Sequence, residues 1–383
     1  MRRNLIIVAI ALFFVGAGTF AFFELKPDPP IETKFVQPPV RRTSGSGGVQ
    51  EVMGEATDVS NQEPKVTSVY KTPGNYALLD NPKHVYQTFN NCGAATLSMV
   101  LSGLGEKVSQ KELGDKMRPF QNPDGDNDDK TIFTYEFVDW AKRYGFESVG
   151  RVNGDIELLK TLTANGILVV VKTWLKVGED IGHFRIVRGF DEAKQVIFQD
   201  DSYDGPNKRI SYYDFLSMWQ PFNYAYIIVY PPNQAGLVEA IIGEEMQEGV
   251  DWQKALIRAK KEAELAPENI YPLFNISTSY YHLGDYQNSI SSFERVESRL
   301  PRRMLWYQIE PIQAYFELGD YDRVFAISGN ILENGNRAYS ELYHIRGEIY
   351  LAQGNKEKAR EQFELAIEYN QNFEPAKQAL ESI

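Results

Sequence analysis

The feature that most constrains this chain is a repeat in its last third. Gly284, Gly319 and Gly354 recur at a constant spacing of 35, and Asp285-Tyr286 and Asp320-Tyr321 follow the first two. Tyr280, Tyr315 and Tyr350 stand four residues before the glycines, and Phe293 and Phe363 stand nine after the first and third. The apolar spacing between these points is helical. A fixed period of this length, with a glycine closing a helix in each unit, is the mark of stacked helical hairpins, none of which buries its apolar face alone. The units run over about 236–269, 270–304, 305–339 and 340–374, with a short cap behind. Pro267 and Pro301 sit where a unit ends, and Ala255, Ala259 and Ala263 supply small contacts in a more divergent first unit. The chain therefore divides near Pro231-Pro232, with an all-α solenoid over 233–383 and a different kind of structure before it. Few contacts are expected across such a linker.

Upstream, residues 71–232 mix two signals. Thr96–Leu104, Tyr135–Tyr144 and Asp155–Ala164 are apolar at helical spacing. Ile167–Thr173, Phe184–Phe190, Gln195–Gln199 and Tyr224–Tyr230 are short β-branched or aromatic runs bounded by turn residues. Helices first and an antiparallel sheet afterwards predict an α+β domain. Residues 25–70 are rich in Pro, Gly, Ser and charge and read as a flexible linker. Before them, Arg2 and Arg3 precede an uncharged run from Leu5 to Phe23, long enough to span a bilayer. The run exceeds a signal core and no small-x-small site follows it, so residues 1–24 read as an uncleaved transmembrane helix; the competing reading is a cleaved signal that would leave the protein secreted. The arginines favour the cytoplasmic side, which places the domains outside the cell membrane, in a bacterial cell envelope.

Composition removes several classes of function. The chain has 383 residues and a formal charge of −12, with no cluster of Lys and Arg, which argues against nucleic acid as a partner. A single cysteine, Cys92, forms no internal disulfide, and His84, His183, His282 and His344 have no metal-ligand spacing, so neither metal nor cofactor is expected. Asp124–Asp129 resembles the opening of a calcium loop, but Asp129 and Tyr135 stand where the loop needs Gly and Glu; a solvated acidic loop is the better reading. The aromatic group Tyr203, Tyr212, Tyr213, Phe215, Trp219, Phe222 and Tyr224 reads as core, with Tyr203 the one candidate for lining a cleft.

An unpaired thiol outside the cytoplasm is unusual, and its surroundings explain it. Cys92 leads directly into the apolar periodicity of Leu97, Val100, Leu101 and Leu104, which places it at a helix start. Unpaired amides and the positive end of the helix dipole there stabilise a thiolate. Gly93, Ala94 and Ala95 leave room for a substrate backbone, and Gln87 offers an amide donor that with the Cys92 amide would hold an oxyanion. His183 is the one histidine downstream of Cys92 before Pro231, and it opens the strand Gly182–Phe190 as the candidate base. A turn at Asp191–Lys194 returns the chain to Asp200-Asp201, so a carboxylate arrives beside the histidine. A four-residue loop puts Asp200 on the face of His183, and a five-residue loop puts Asp201 there.

The order Gln-x4-Cys-Gly-x-Ala, Gly-His-aromatic and Asp-Ser-Tyr-x-Gly-Pro, over about residues 84–232, resembles the bacteriocin-leader (double-glycine) cysteine peptidase family and its extracytoplasmic relatives. The resemblance implies a papain-like fold, with Cys92 as nucleophile, His183 as base, Gln87 as oxyanion donor and Asp201, the aspartate just before Ser202, as orienter. Asp200 is the alternative. The repeats resemble the tetratricopeptide repeat, although the third unit carries Val324 and Ser328 where that pattern prefers Ala and an aromatic. Together these imply a membrane-anchored thiol protease or amidase whose hydrolase domain takes a peptide or protein substrate, with a protein partner or the substrate recruited through the groove of the repeats. Two other readings use the same residues: a catalytically silent peptide-binding module with the repeats as scaffold, and an acyltransferase that accepts an amine.

Overall fold

The computed structural model describes residues 70–80, 83–118, 120 and 132–383. The N-terminal apolar run, all but the end of the linker and the acidic segment Asp124–Asp129 lie outside these residues. Among the described residues no helix is long and apolar enough to cross a membrane.

The first part of the chain runs β1 (Tyr76–Leu78), α1 (Cys92–Gly103), α2 (Gln110–Met117), α3 (Thr134–Arg143), β2 (Glu147–Arg151), α4 (Ile156–Ala164), β3 (Val169–Trp174), β4 (Gly182–Asp191), β5 (Val196–Asp201), β6 (Gly205–Ser211), α5 (Tyr212–Trp219) and β7 (Tyr226–Tyr230). The strands form one antiparallel sheet in the order β2-β7-β3-β4-β5-β6, and β1 pairs with the C-terminal end of β4. Helices cover both faces. Val170, Phe184, Ile186, Ile227 and Val229 pack against Leu97 and Leu101 of α1, Leu113 of α2 and Phe137 of α3. Val169, Val171, Val187, Ile197 and Ile228 pack against Leu159 and Leu162 of α4 and Phe215 and Trp219 of α5. A strand buried on both faces has no reason to alternate, which is why β3 and β7 read as continuous apolar runs. The edge strands β2 and β6 lack that signal, and the sequence did not reveal them.

The second part is helical: α6 (Ala235–Ile242), α7 (Val250–Leu265), α8 (Ile270–His282), α9 (Tyr286–Glu294), α10 (Met304–Tyr307), α11 (Glu310–Glu317), α12 (Tyr321–Glu333), α13 (Ser340–Ala352), α14 (Lys356–Tyr369) and α15 (Glu374–Glu381). Gly284, Gly319 and Gly354 have φ of 77°, 75° and 77°. That left-handed region costs about 1–2 kcal/mol for a residue with a Cβ, which is why glycine recurs there. The residue after each glycine caps the next helix: the side chains of Asp285, Asp320 and Asn355 accept from the backbone N–H of Asn288, Arg323 and Lys358. The third unit departs from this pattern. Its first helix is broken, because α10 ends at Gln308 in an extended conformation and α11 restarts with Pro311 in its first turn. A proline fits a first turn but not a helix interior.

The expectation of few contacts across Pro231-Pro232 fails. Trp174, Met218 and Phe222 share one core with Phe274, Trp306 and Ile309 of the helical part. Polar contacts are as extensive. Asn223 Nδ2 donates to Asn275 O, Thr278 Oγ1 and Ser279 Oγ at 3.0–3.2 Å. The Tyr224 hydroxyl donates to Glu262 at 2.8 Å, and Gln308 Nε2 donates to Pro221 O at 2.9 Å. Arg303 pairs with Asp180 at 2.8 Å. The end of β3 and the turn after α5 carry large aromatic side chains that neither helical layer of the sheet covers, and the repeats bury them.

Candidate active site

Cys92 begins α1, half-buried, with Asn91 as the preceding cap residue. The unpaired amides of that first turn face the thiol's end of the helix. Of the small residues that follow, Gly93 lines the cleft beside Cys92, but Ala94 and Ala95 are fully buried in the core. A Cβ at Gly93 would come within 2.9 Å of Ile132, so a side chain there would crowd another residue of the cleft lining.

His183 opens β4 and is buried, and its Nε2 lies 2.9 Å from Asp201 Oδ1. A carboxylate only accepts, so Nε2 carries the proton and Nδ1 is the nitrogen left for the thiol. Asp201 is fully buried yet fully satisfied. Its Oδ1 also accepts from the backbone N–H of Tyr203 at 2.7 Å and Asp204 at 3.0 Å, and its Oδ2 accepts from Arg185 Nε at 2.7 Å. Arg185 spends its other donors on Thr173 Oγ1 and the carbonyls of Trp174 and Leu175. Asp200 points the other way, to Arg188 at 2.7 Å and the Asn207 amide at 2.9 Å.

The hairpin that separates the two aspartates has a four-residue loop, Glu192–Gln195, which by parity alone would have placed Asp200 on the face of His183. A β-bulge between Val187 and Gly189 inserts Arg188 as an unmatched residue and reverses the parity, so that Asp201 pairs with Arg185 and faces His183. Loop length alone sets the facing residue only along an unbroken ladder.

Gln87 lines the same cleft. The Ser202 hydroxyl donates to Gln87 Oε1 at 2.8 Å, which leaves Gln87 Nε2 as the end available to the cleft, and the Gln87 backbone N–H donates to Ser202 O at 2.8 Å. His84 Nε2 contacts the Asp201 carbonyl at 2.9 Å, and Gln110 holds Tyr86 O and the Thr88 amide. The strand end at 201–202 thus fixes the segment that carries Gln87. Tyr203, more than half exposed, lies in the cleft; Tyr212, Phe215, Trp219, Phe222 and Tyr224 are core. Among the described residues no cluster of His, Cys, Asp and Glu could hold a metal.

The charges agree with this geometry. Burial pushes the Cys92 thiol up, but the hydrogen bond and charge of His183, with smaller help from the Phe184 backbone and Arg118, bring it below its ordinary value. Burial pushes His183 down, and Asp201 and Cys92 together raise it above its ordinary value. Burial also pushes Asp201 up, and His183 and Arg185 hold it well below the usual carboxylate range. A thiolate, an imidazolium and a carboxylate in line is the state these directions favour.

Arg185, Ser202 and His84 are the supporting residues that sequence reasoning missed. Arg185 had a readable signal, since it stands two residues after His183 on one strand and so shares its face. A cysteine at a helix start, facing a strand-borne histidine backed by a buried carboxylate, is the arrangement of papain-like folds. Residues 75–227 match the Peptidase C39 like family, and residues 271–299 and 340–373 each match the tetratricopeptide repeat. The chain carries a C39-like peptidase domain followed by tetratricopeptide repeats.

Among solved structures, a putative C39-like peptidase from Bacillus anthracis is similar at 16% identity, over 41% of this chain and 98% of that one, with a TM-score of 0.35. The peptidase domain of Streptococcus ComA, a bifunctional ABC transporter of a quorum-sensing pathway, is similar at 20% identity, over 40% and 98%, with a TM-score of 0.31. A tetratricopeptide repeat protein from Parabacteroides merdae is similar at 22% identity, over 37% and 60%, with a TM-score of 0.30. No curated protein matches the chain.

Proposed function

We propose that the protein is a cysteine peptidase or amidase, with Cys92 as nucleophile, His183 as acid and base, Asp201 as orienter and Gln87 as oxyanion donor. The observation that carries this reading is the buried Asp201 carboxylate 2.9 Å from His183 Nε2, which fixes the tautomer whose other nitrogen serves Cys92. The thiolate attacks a carbonyl carbon, and Gln87 Nε2 with the Cys92 amide takes the negative oxygen. The imidazolium then gives its proton to the leaving amine, and a thioester remains. Water, deprotonated by His183, releases the carboxylic acid and restores the thiol. The N-terminal run holds the enzyme on the outer side of the membrane.

Rapid modification of Cys92 by iodoacetamide at neutral pH, dependent on His183, followed by cleavage in a peptide library, is the expected result. Labelling without cleavage would instead support a peptide-binding module, and product formed with an added amine in place of water an acyltransferase. A thiol that reacts no faster than a free cysteine would refute the reading.

A further inference from the structure

The cleft that holds Cys92 and His183 has a volume of about 380 Å³, and its lining does not come from the peptidase domain alone: Trp306, Tyr307 and Asn336 of the repeats belong to it. The broken first helix of the third unit delivers two of them. With α10 stopped at Gln308, Trp306 and Tyr307 swing toward the peptidase domain, and the Arg303–Asp180 pair at 2.8 Å and the Gln308–Pro221 bond at 2.9 Å hold the short helix there. Tyr307 packs on the residue before the histidine. Its ring carbons lie 2.8–3.0 Å from where a Cβ on Gly182 would be, so the glycine is what admits the ring. Burial drives the phenol's pKa up, which keeps it neutral beside the thiol.

Asn336 adds a second, independent observation. It is 1% exposed, and its Oδ1 is buried without a hydrogen-bond partner among the described residues. A buried amide oxygen left unpaired is destabilising, and a ligand seated against Asn336 can supply the missing donor. A peptide main chain has such donors. In the same lining Phe89, Ile181 and Tyr203 are exposed at 41%, 38% and 56%. Apolar side chains gathered in solvent around a polar centre are the lining of a groove for apolar parts of a ligand.

We infer that the tetratricopeptide repeats form one wall of the substrate cleft, with Asn336 accepting a hydrogen bond from the main chain of an extended polypeptide and Tyr307 selecting the side chain beside the scissile bond. The repeats then set specificity at the reacting bond itself. This rests on Cys92 being the nucleophile.

The test compares two reagents for Cys92 in the full-length protein: iodoacetamide, too small to reach the wall, and a set of peptidyl chloromethyl ketones that vary in the residue next to the reactive carbon. Tyr307→Ala is expected to leave the iodoacetamide rate within about threefold, to change rates with the ketones by about tenfold or more, and to reorder them in favour of larger residues. Tyr307→Phe keeps the ring and restores the original order. Asn336→Ala is expected to slow all the ketones by about tenfold, with the iodoacetamide rate retained. An unchanged ketone order in Tyr307→Ala, with normal iodoacetamide labelling, overturns the inference and leaves the enzymatic reading intact. Slow iodoacetamide labelling of the unaltered protein overturns the enzymatic reading instead.

Discussion

At the scale of single residues, Cys92, His183 and Asp201 stand or fall together. Cys92→Ala and His183→Ala are each expected to abolish turnover, and the double variant to cost little more; additive losses would refute a joint mechanism. Asp201→Asn is expected to lower the rate by orders of magnitude and to move the pH midpoint of Cys92 alkylation up, since the imidazolium that stabilises the thiolate loses its partner. Asp200→Asn leaves that midpoint in place, because Asp200 bonds Arg188 on the other face. The same pair sets a stability profile. His183, raised above its ordinary 6.5, contributes stability that is complete below that value and lost as pH rises through its folded value. Asp201, lowered from 3.8, contributes stability that is complete above that value and lost as pH falls toward its depressed one. Urea midpoints measured against pH are expected to fall on both sides of a plateau, and Asp201→Asn to flatten both slopes. Cys92, Gln87 and His183 were legible in the sequence because each sits in a local motif whose chemistry needs that residue type. The supporting contacts of Ser202 and His84 join segments more than a hundred positions apart and leave no such mark.

At the scale of elements, the bulge in β4 decides which carboxylate serves the histidine. Arg188, the unmatched residue, ties Asp200, Asn207 and the Leu79 carbonyl together. Arg188→Ala is expected to destabilise the fold by about 3–5 kcal/mol, because it leaves Asp200 buried without its cation. Asp200→Asn relieves most of that loss in the double variant, which chemical denaturation would show as strong non-additivity. A bulge changes register without changing composition, so alternation of apolar and polar residues did not reveal it. The repeat turns were legible for the opposite reason: a left-handed glycine followed by a capping Asp or Asn is a local requirement. Gly319→Ala, at φ 75°, is expected to cost about 1–2 kcal/mol.

At the scale of the whole molecule, the peptidase domain and the repeats share a core, which no local pattern records, since Trp174 and Phe222 look like any buried aromatics until their partners are known. A chain ending at Pro231 is expected to expose these side chains and to aggregate or melt well below the full protein. The protein from residue 70 onward is expected to unfold in one calorimetric transition; two separated transitions would show that the shared core is weak. The placement of Trp306, Tyr307 and Asn336 also fixes the order in which the cleft comes into being. Ribosomes build the chain from its N-terminus, so Cys92, His183 and Asp201 all exist before the far wall of their cleft has been made. At ordinary elongation rates that gap lasts on the order of seconds. A newborn chain therefore carries Cys92 and His183 before the third repeat has completed the lining of their cleft, and that completion is timed by synthesis itself.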